Sequence, residues 1–366
     1  MKYYIFLIAT FFCAQASSAQ NFEEISKTSL SGDELRGKLV DLNNNSSIDY
    51  IYLQESDTEI NANILRDING LPIPLELEGI NNMEFSLGDL DNNNRLDVVT
   101  SLIIDRQNVV AVFYQLDNLT FSEPQIVDTL DFKSVTIYDV NRDGQNELLI
   151  VMEDALTVYE KKDSNNWEHF NSLELNGIDD LKLFDYDNRD LNELLVSYSL
   201  NDELVTELFQ LEEDEWESDS TFAILRGISL TSYADHNLDG QYDLYTLTRQ
   251  QSGSSISIIV NDDFVEVIST NDHLEYWFTA DFNSDGMVDI LTTGKSNTDD
   301  HFIRLYTNSG DDSFTPEDIG VVGEIESLHV FDQDYDGDLD VVLRTQINGI
   351  QELTTYDYIT SSVNDA

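Results

Sequence analysis

Seven short stretches of the 366-residue chain bring oxygen donors together at a fixed spacing. Each begins with Asp, has Asp or Asn two residues on, and carries an acid at its ninth position. They run Asp41-Leu-Asn43-Asn-Asn45 to Asp49; Asp89-Leu-Asp91-Asn-Asn93 to Asp97; Asp139-Val-Asn141-Arg-Asp143 to Glu147; Asp185-Tyr-Asp187-Asn-Arg189 to Glu193; Asp235-His-Asn237-Leu-Asp239 to Asp243; Asp281-Phe-Asn283-Ser-Asp285 to Asp289; and Asp332-Gln-Asp334-Tyr-Asp336 to Asp340. Residues 1, 3 and 5 of such a tight loop aim carboxylate or amide oxygens at one centre. Residue 7 adds a backbone carbonyl, and the acid at 9 can bind with both oxygens. Hard oxygen donors in that number suit Ca²⁺. The sixth residue must turn with φ above zero and is Gly144, Gly240, Gly286 or Gly337 in four loops, with Asn94 and Asp190 as substitutes. This is not an EF-hand: the twelfth residue, where that loop needs Glu, is Tyr52, Thr100, Ile150, Val196, Thr246, Thr292 or Leu343.

Charge ranks the loops. At positions 1, 3, 5 and 9 the seventh carries four acids, the second, third, fifth and sixth three, and the first two. Carboxylates held within about 4 Å repel by about a kcal/mol per pair even in water-like dielectric, so a divalent ion would rigidify what is otherwise strained. About five calcium sites follow, and up to seven if every loop is counted. In the fourth loop Arg189 replaces the ligand at position 5, and its guanidinium can pair with Asp185, Asp187 and Glu193 in place of a cation. The bland alternative for all seven is a set of Asx-rich turns.

The elements that must position these loops follow from their spacing. Successive first residues lie 48, 50, 46, 50, 46 and 51 apart. Each loop sits between apolar runs of strand character, as with Met83, Phe85 and Leu87 before Asp89 and Val98 and Val99 after Asp97, so the motif joins two strands. Two further strands follow in every unit, as in Val109 to Leu116 then Thr120 to Val127. Four strands per period in seven periods predicts an all-β fold, a seven-bladed β-propeller with four antiparallel strands per blade. Pro72, Pro74, Pro124 and Pro316 all fall in predicted fourth strands, the outer edges where proline is tolerated. Phe121, Trp167, Trp216, Phe264 and Phe314 tend to open the same strands and read as packing between blades. The last unit lacks a fourth strand, while residues 21 to 29, with Phe22-Glu23-Glu24-Ile25, look like a fourth strand without a unit. The N-terminus is therefore expected to complete the last blade and close the ring.

With its nine-residue acidic loop after a first strand, most faithful at Asp281 to Asp289 and Asp332 to Asp340, the chain resembles the FG-GAP and VCBS repeat proteins. Among these calcium-loop propellers the integrin α-subunit head is the best known animal example. The Phe-Gly and Gly-Ala-Pro tags of the integrin-type repeat are missing, which brings the VCBS-like branch nearer. The resemblance spans residues 21 to 361 and implies calcium on one face, with ligand-binding loops on the other.

Composition bounds the partners. Seventy-two acids against 18 Lys and Arg give a net charge of −54, which repels phosphate and anionic membranes and so excludes nucleic-acid binding. Lys2, the apolar Tyr3 to Phe12 and the small residues Ser17-Ser18-Ala19 read as a signal peptide over residues 1 to 19, too short to span a bilayer. The remaining residues, 20 to 366, read as one exported domain, periplasmic or extracellular. The single cysteine, Cys13, lies in that leader, so disulfides and thiol chemistry are excluded from the mature chain. Five histidines, His169, His236, His273, His301 and His329, share no catalytic or metal spacing. The reading is a secreted, calcium-stabilised, non-catalytic binding or adhesion module for a glycan or protein ligand. The alternatives are a polysaccharide lyase or glycosidase on the same scaffold, and a structural subunit of a surface assembly. Candidate contact loops are Asp105 to Asn108, Thr248 to Ser255, Asn271 to Glu275 and Thr293 to Asp300.

Overall fold

Alternating apolar residues on short segments, interrupted every six to ten positions by Asn, Asp and Gly, leave antiparallel pairing as the only way to bury the apolar faces. The computed structural model describes residues 22–30, 35–43, 45, 47–55, 59–66, 73–117, 119–163, 166–184, 193–201, 203–212, 215–219, 225–228, 230–260, 263–310, 313–332 and 339–358. Among them no α-helix forms, and no helix is long and apolar enough to cross a membrane. The strands build seven four-stranded antiparallel sheets, the blades of a β-propeller. The leader assigned to residues 1 to 19 lies outside the described residues.

The chain divides into two compact units, one from Met1–Ser31 with Ile228–Ala366, the other from Gly32–Gly227. In the second of these, blade one runs Leu35–Val40, Asp49–Glu55, Ile60–Leu65 and Ile73–Pro74 in that lateral order. Blade two runs Ile80–Gly88, Asp97–Ile104, Gln107–Phe113 and Gln125–Asp128. Blade three follows with Ser134–Tyr138, Glu147–Val151, Leu156–Asp163 and Asn166–Leu173, and blade four with Ile178–Phe184, Glu193–Leu200, Glu203–Glu212 and Glu215–Ser218, where Leu225–Arg226 also pairs with the third strand. Second strands are the most buried, as in Asp97–Ile104, whose first six residues are all inaccessible. Facing strands of neighbouring blades pack on them: Leu42, Ile51, Ile64, Phe85, Val98 and Ala111 share one core cluster.

In the other unit, blade five comprises Leu230–Ala234, Asp243–Gln250, Gly253–Val260 and Asp263–Thr270, and blade six His273–Ala280, Asp289–Lys295, His301–Asn308 and Phe314–Val322. Blade seven takes Glu324–Phe331, Asp340–Ile347 and Ile350–Tyr358, and its fourth strand is Phe22–Leu30, paired antiparallel with Ile350–Tyr358 from Phe22 opposite Tyr358 to Leu30 opposite Gln351. The N-terminus thus completes the last blade, as expected. Phe22 is buried there with its ring edge-on to Phe282, centroids 6.3 Å apart.

Two expectations need correction. The segment 120–127 is not one strand: Thr120–Phe121 pairs with Gln115–Asp117, and after a break at Ser122–Pro124 the outer strand resumes as Gln125–Asp128 against Gln107–Phe113. Pro124 has no N–H to give a ladder, which accounts for the interruption. Among the aromatics, Trp167 and Trp216 are buried in the packing between blades, and Trp216 Nε1 donates to Asn171 Oδ1 at 3.1 Å. Phe264, by contrast, is 57 % exposed and packs between no blades. Pro74 and Pro316 lie in fourth strands as anticipated, while Pro72 lies outside the described residues.

Candidate metal-binding loops

In every blade the acid at position nine is the first residue of the second strand: Asp49, Asp97, Glu147, Glu193, Asp243, Asp289 and Asp340. It stands opposite the last residue of the first strand, as Asp97 does opposite Gly88 and Asp289 opposite Ala280. All seven are buried, none above 6 % exposure. A buried carboxylate must find donors, and these do. The N–H of position two donates to it in each of five loops: Leu42 to Asp49 at 3.3 Å, Leu90 to Asp97 at 2.8 Å, Val140 to Glu147 at 2.9 Å, His236 to Asp243 at 3.0 Å and Phe282 to Asp289 at 3.2 Å. In two blades the other oxygen is also committed. Asp97 Oδ1 accepts the Gln115 N–H at 2.9 Å, and Asp289 Oδ1 accepts the Asn308 N–H at 2.8 Å. In blades two and six the ninth acid therefore also straps its loop to the chain at or just past the end of the third strand.

In loops two, three, five and six the described residues repeat one hydrogen-bond scheme. At position one, Asp139 accepts the N–H groups of Asp143 and Gly144, Asp235 those of Asp239 and Gly240, and Asp281 those of Asp285 and Gly286, all between 2.8 and 3.1 Å. Asp89 takes those of Asn93 at 3.0 Å and Asn94 at 2.7 Å. Position three accepts the N–H of position five, as Asn141 does from Asp143 at 2.9 Å, and position five accepts that of position seven, as Asp285 does from Met287 at 2.8 Å. Position six is left-handed, as anticipated, with φ of 61° at Asn94 and 86° at Gly144. Position four is left-handed too, at Asn92, Arg142, Leu238 and Ser284, with φ between 57° and 59°. Side chains such as Leu238 take that conformation at a cost of about 1–2 kcal/mol. Alternating backbone handedness turns successive N–H groups toward one point, an anion-cupping arrangement that here receives the position-one carboxylate.

Loop two gathers its acids most tightly. One carboxylate oxygen from each of Asp89, Asp91 and Asp97 lies within 4.8 Å of the others, with Asp97 buried, Asp89 half-buried and Asp91 exposed. Burial pushes the Asp97 carboxyl up to about 6, and the neighbouring Asp91 and Asp89 charges push the same way against its two backbone hydrogen bonds. Burial likewise raises Glu147 to about 7 and Asp289 to about 6, and raises Asp243. Ionised together these groups need a counter-charge, and their donor set, all hard oxygen, fits Ca²⁺. Beside loop two, the Lys161 ammonium donates to the Leu90 carbonyl at 3.1 Å and lies 4.1 Å from the Tyr114 ring. Burial lowers its pKa against the pull of Asp91, Asp97 and Asp89.

The other predicted ligands stand as follows. Asp139, Asn141, Asp143 and Glu147 share loop three, Asn141 Nδ2 reaching Glu147 Oε1 at 3.3 Å. Asp235, Asn237, Asp239 and Asp243 form loop five and Asp281, Asn283, Asp285 and Asp289 loop six, on the same scheme. In loop one Asp41 Oδ1 accepts the Asn45 N–H at 3.0 Å and Asn43 Nδ2 donates to Asp49 at 2.9 Å. Asp185, Asp187 and Arg189 of loop four and Asp334 and Asp336 of loop seven lie outside the described residues, leaving the proposed arginine substitution in loop four without a structural reading. His236 pairs its Nδ1 with the Tyr245 hydroxyl at 2.8 Å and stacks on Phe314, a packing role. Of the candidate contact loops, those around Thr248 to Ser255 and Asn271 to Glu275 are tied by Arg249, whose Nε donates to the Leu274 carbonyl at 2.8 Å. What sequence reasoning missed is position two. Its Leu42, Leu90, Val140 and Phe282 are at most 5 % exposed, and the recurring apolar residue between Asp at position one and Asp or Asn at position three was the available signal.

Residues 281–343, which hold loops six and seven, match the model of the FG-GAP-like repeat. That stretch of the propeller is similar to an FG-GAP-like repeat. No curated protein matches it in sequence. Among solved structures, BBS1N, crystallised in complex with ARL6DN and soaked with lead, superposes with a TM-score of 0.58 at 8 % identity, over 94 % of this chain and 98 % of that one. At that identity the likeness concerns the fold alone. The biofilm matrix protein Bap1 of V. cholerae gives 0.48 at 10 % identity, over 89 % and 77 %.

Proposed function

We propose that this propeller is an exported binding or adhesion module, stapled by calcium in its acidic loops and engaging a glycan or protein ligand without turning it over. The observation that carries the reading is the repeated loop: five times over, the position-one carboxylate accepts the N–H of position five, and in loop two three carboxylates converge within 4.8 Å. Such clustered acids, one of them wholly buried, make sense if a divalent ion completes them. Export rests on the leader-like composition of residues 1 to 19. A binding role is supported by the fold, which BBS1N uses in a complex with ARL6DN. The Asp105 and Arg106 turn and the Ser296–Asp300 loop, at the ends of the second strands away from the acidic loops, supply polar groups of the kind ligands use.

A glycan array and a pull-down against surface proteins, run with calcium and with chelator, test this reading alongside turnover assays on acidic polysaccharides. Retention of a ligand without turnover is expected. Cleavage of any retained polysaccharide would replace the module with a lyase or hydrolase.

A further inference from the structure

Blades one and two enclose a cleft of about 360 Å³ beside loop one, and two guanidinium groups, Arg66 and Arg95, line it. That is unusual in a chain with four acids for every base. Several other described arginines are engaged: Arg36 with Glu84, Arg226 with Glu203, Arg249 with the Leu274 carbonyl, Arg304 with Asp272 and Asp318, and Arg344 with Gln351. Among the described residues, neither the Arg66 nor the Arg95 guanidinium has a hydrogen-bond or ion-pair partner. Two such forks on one concave surface are suited to a planar oxyanion.

We infer that this cleft binds a carboxylated sugar, a hexuronate unit of an acidic saccharide. The inference rests on the binding-module reading for the existence of a ligand, and adds where it sits and what charge it carries. The rest of the lining chooses among anions. Asp117 is there too, and its carboxylate, within a molecule of net charge −54, opposes a phosphate, a sulfate cluster or a polyacidic peptide. A monocarboxylate bearing hydroxyls meets less repulsion, because Asp117 and the Asn43 amide carbonyl can accept those hydroxyls. Asn43 Nδ2 is already committed to Asp49 at 2.9 Å, which leaves its oxygen for that use. Leu42 and Leu119 supply apolar surface for the C–H face of a sugar ring. The volume lies within the range of small-ligand sites. Two cations beside loop one also agree with its having the fewest acids of the seven.

The test is calorimetric titration with a glucuronate oligosaccharide, its carboxyl-reduced neutral analogue, and an oligoglutamate peptide of equal charge. The full chain is compared with an Arg66→Gln, Arg95→Gln double variant whose folding is verified by circular dichroism and unchanged calcium titration. The uronate is expected to bind wild type, the neutral sugar and the peptide at least tenfold more weakly, and the double variant to lose about ten- to a hundredfold in affinity, the scale of lost charge-assisted hydrogen bonds. Uronate affinity unchanged in the double variant would overturn the assignment, as would equal binding of the neutral sugar or peptide, or no uronate binding to wild type. If the array retains other glycans while the uronate fails, the module stands and this cleft is not its site.

Discussion

Deleting residues 20–30 is expected to cost the protein its monomeric folded state. The segment supplies the whole outer strand of blade seven, Phe22–Leu30, paired along its length with Ile350–Tyr358. It buries Phe22 and Leu30, each no more than 3 % exposed, and brings Lys27 within 2.7 Å of Glu352. Losing two fully buried large apolar side chains costs about 3–6 kcal/mol before any hydrogen bond is counted, a large part of a domain's usual margin. The truncation also bares Ile350–Tyr358 as a long edge, open to pairing with another chain. Size-exclusion chromatography with circular dichroism checks this: oligomers or unfolded chain are expected, and a monomer with unchanged melting temperature would refute the strand's structural role.

The second large effect concerns the buried acid at position nine. Asp97→Ala removes the acceptor for two inaccessible N–H groups, of Leu90 and Gln115, and Asp289→Ala does the same to Phe282 and Asn308. Each stranded donor costs about 1–3 kcal/mol, so either variant should lose about 2–6 kcal/mol, measured by urea denaturation in chelator. Asp91→Ala is the control. It belongs to the same acidic cluster but is exposed and braces no buried donor, so it should weaken metal binding while changing metal-free stability little. Equal losses from Asp91→Ala and Asp97→Ala in chelator would show that the strap contributes nothing.

Much of this architecture was legible in the sequence because its signals are periodic. Acidic loops recurring every 46 to 51 residues gave the blade count, and a strand without a unit at Phe22 gave the closure of blade seven. The glycines at 144, 240 and 286 announced the turn at position six. Position four was hidden because Arg142, Leu238 and Ser284 are not residues that advertise positive φ; the surrounding hydrogen bonds impose it. The double duty of the ninth acid was hidden for another reason. Its partner N–H groups at Gln115 and Asn308 lie 18 and 19 residues downstream, and burial is decided by blade packing instead of local composition. The Arg66 and Arg95 cleft is likewise tertiary, since only the packing of blade one on blade two brings these residues to one surface.

Calcium stapling of the loops is tested most directly by thermal melting of metal-stripped protein titrated with Ca²⁺. At calcium one hundred times its dissociation constant, one occupied site stabilises the fold by about 2.7 kcal/mol, and several sites more. The melting temperature is expected to climb by several degrees with added calcium, to fall back with chelator, and to climb less in Asp91→Ala. A melting curve indifferent to both calcium and chelator would contradict calcium stapling.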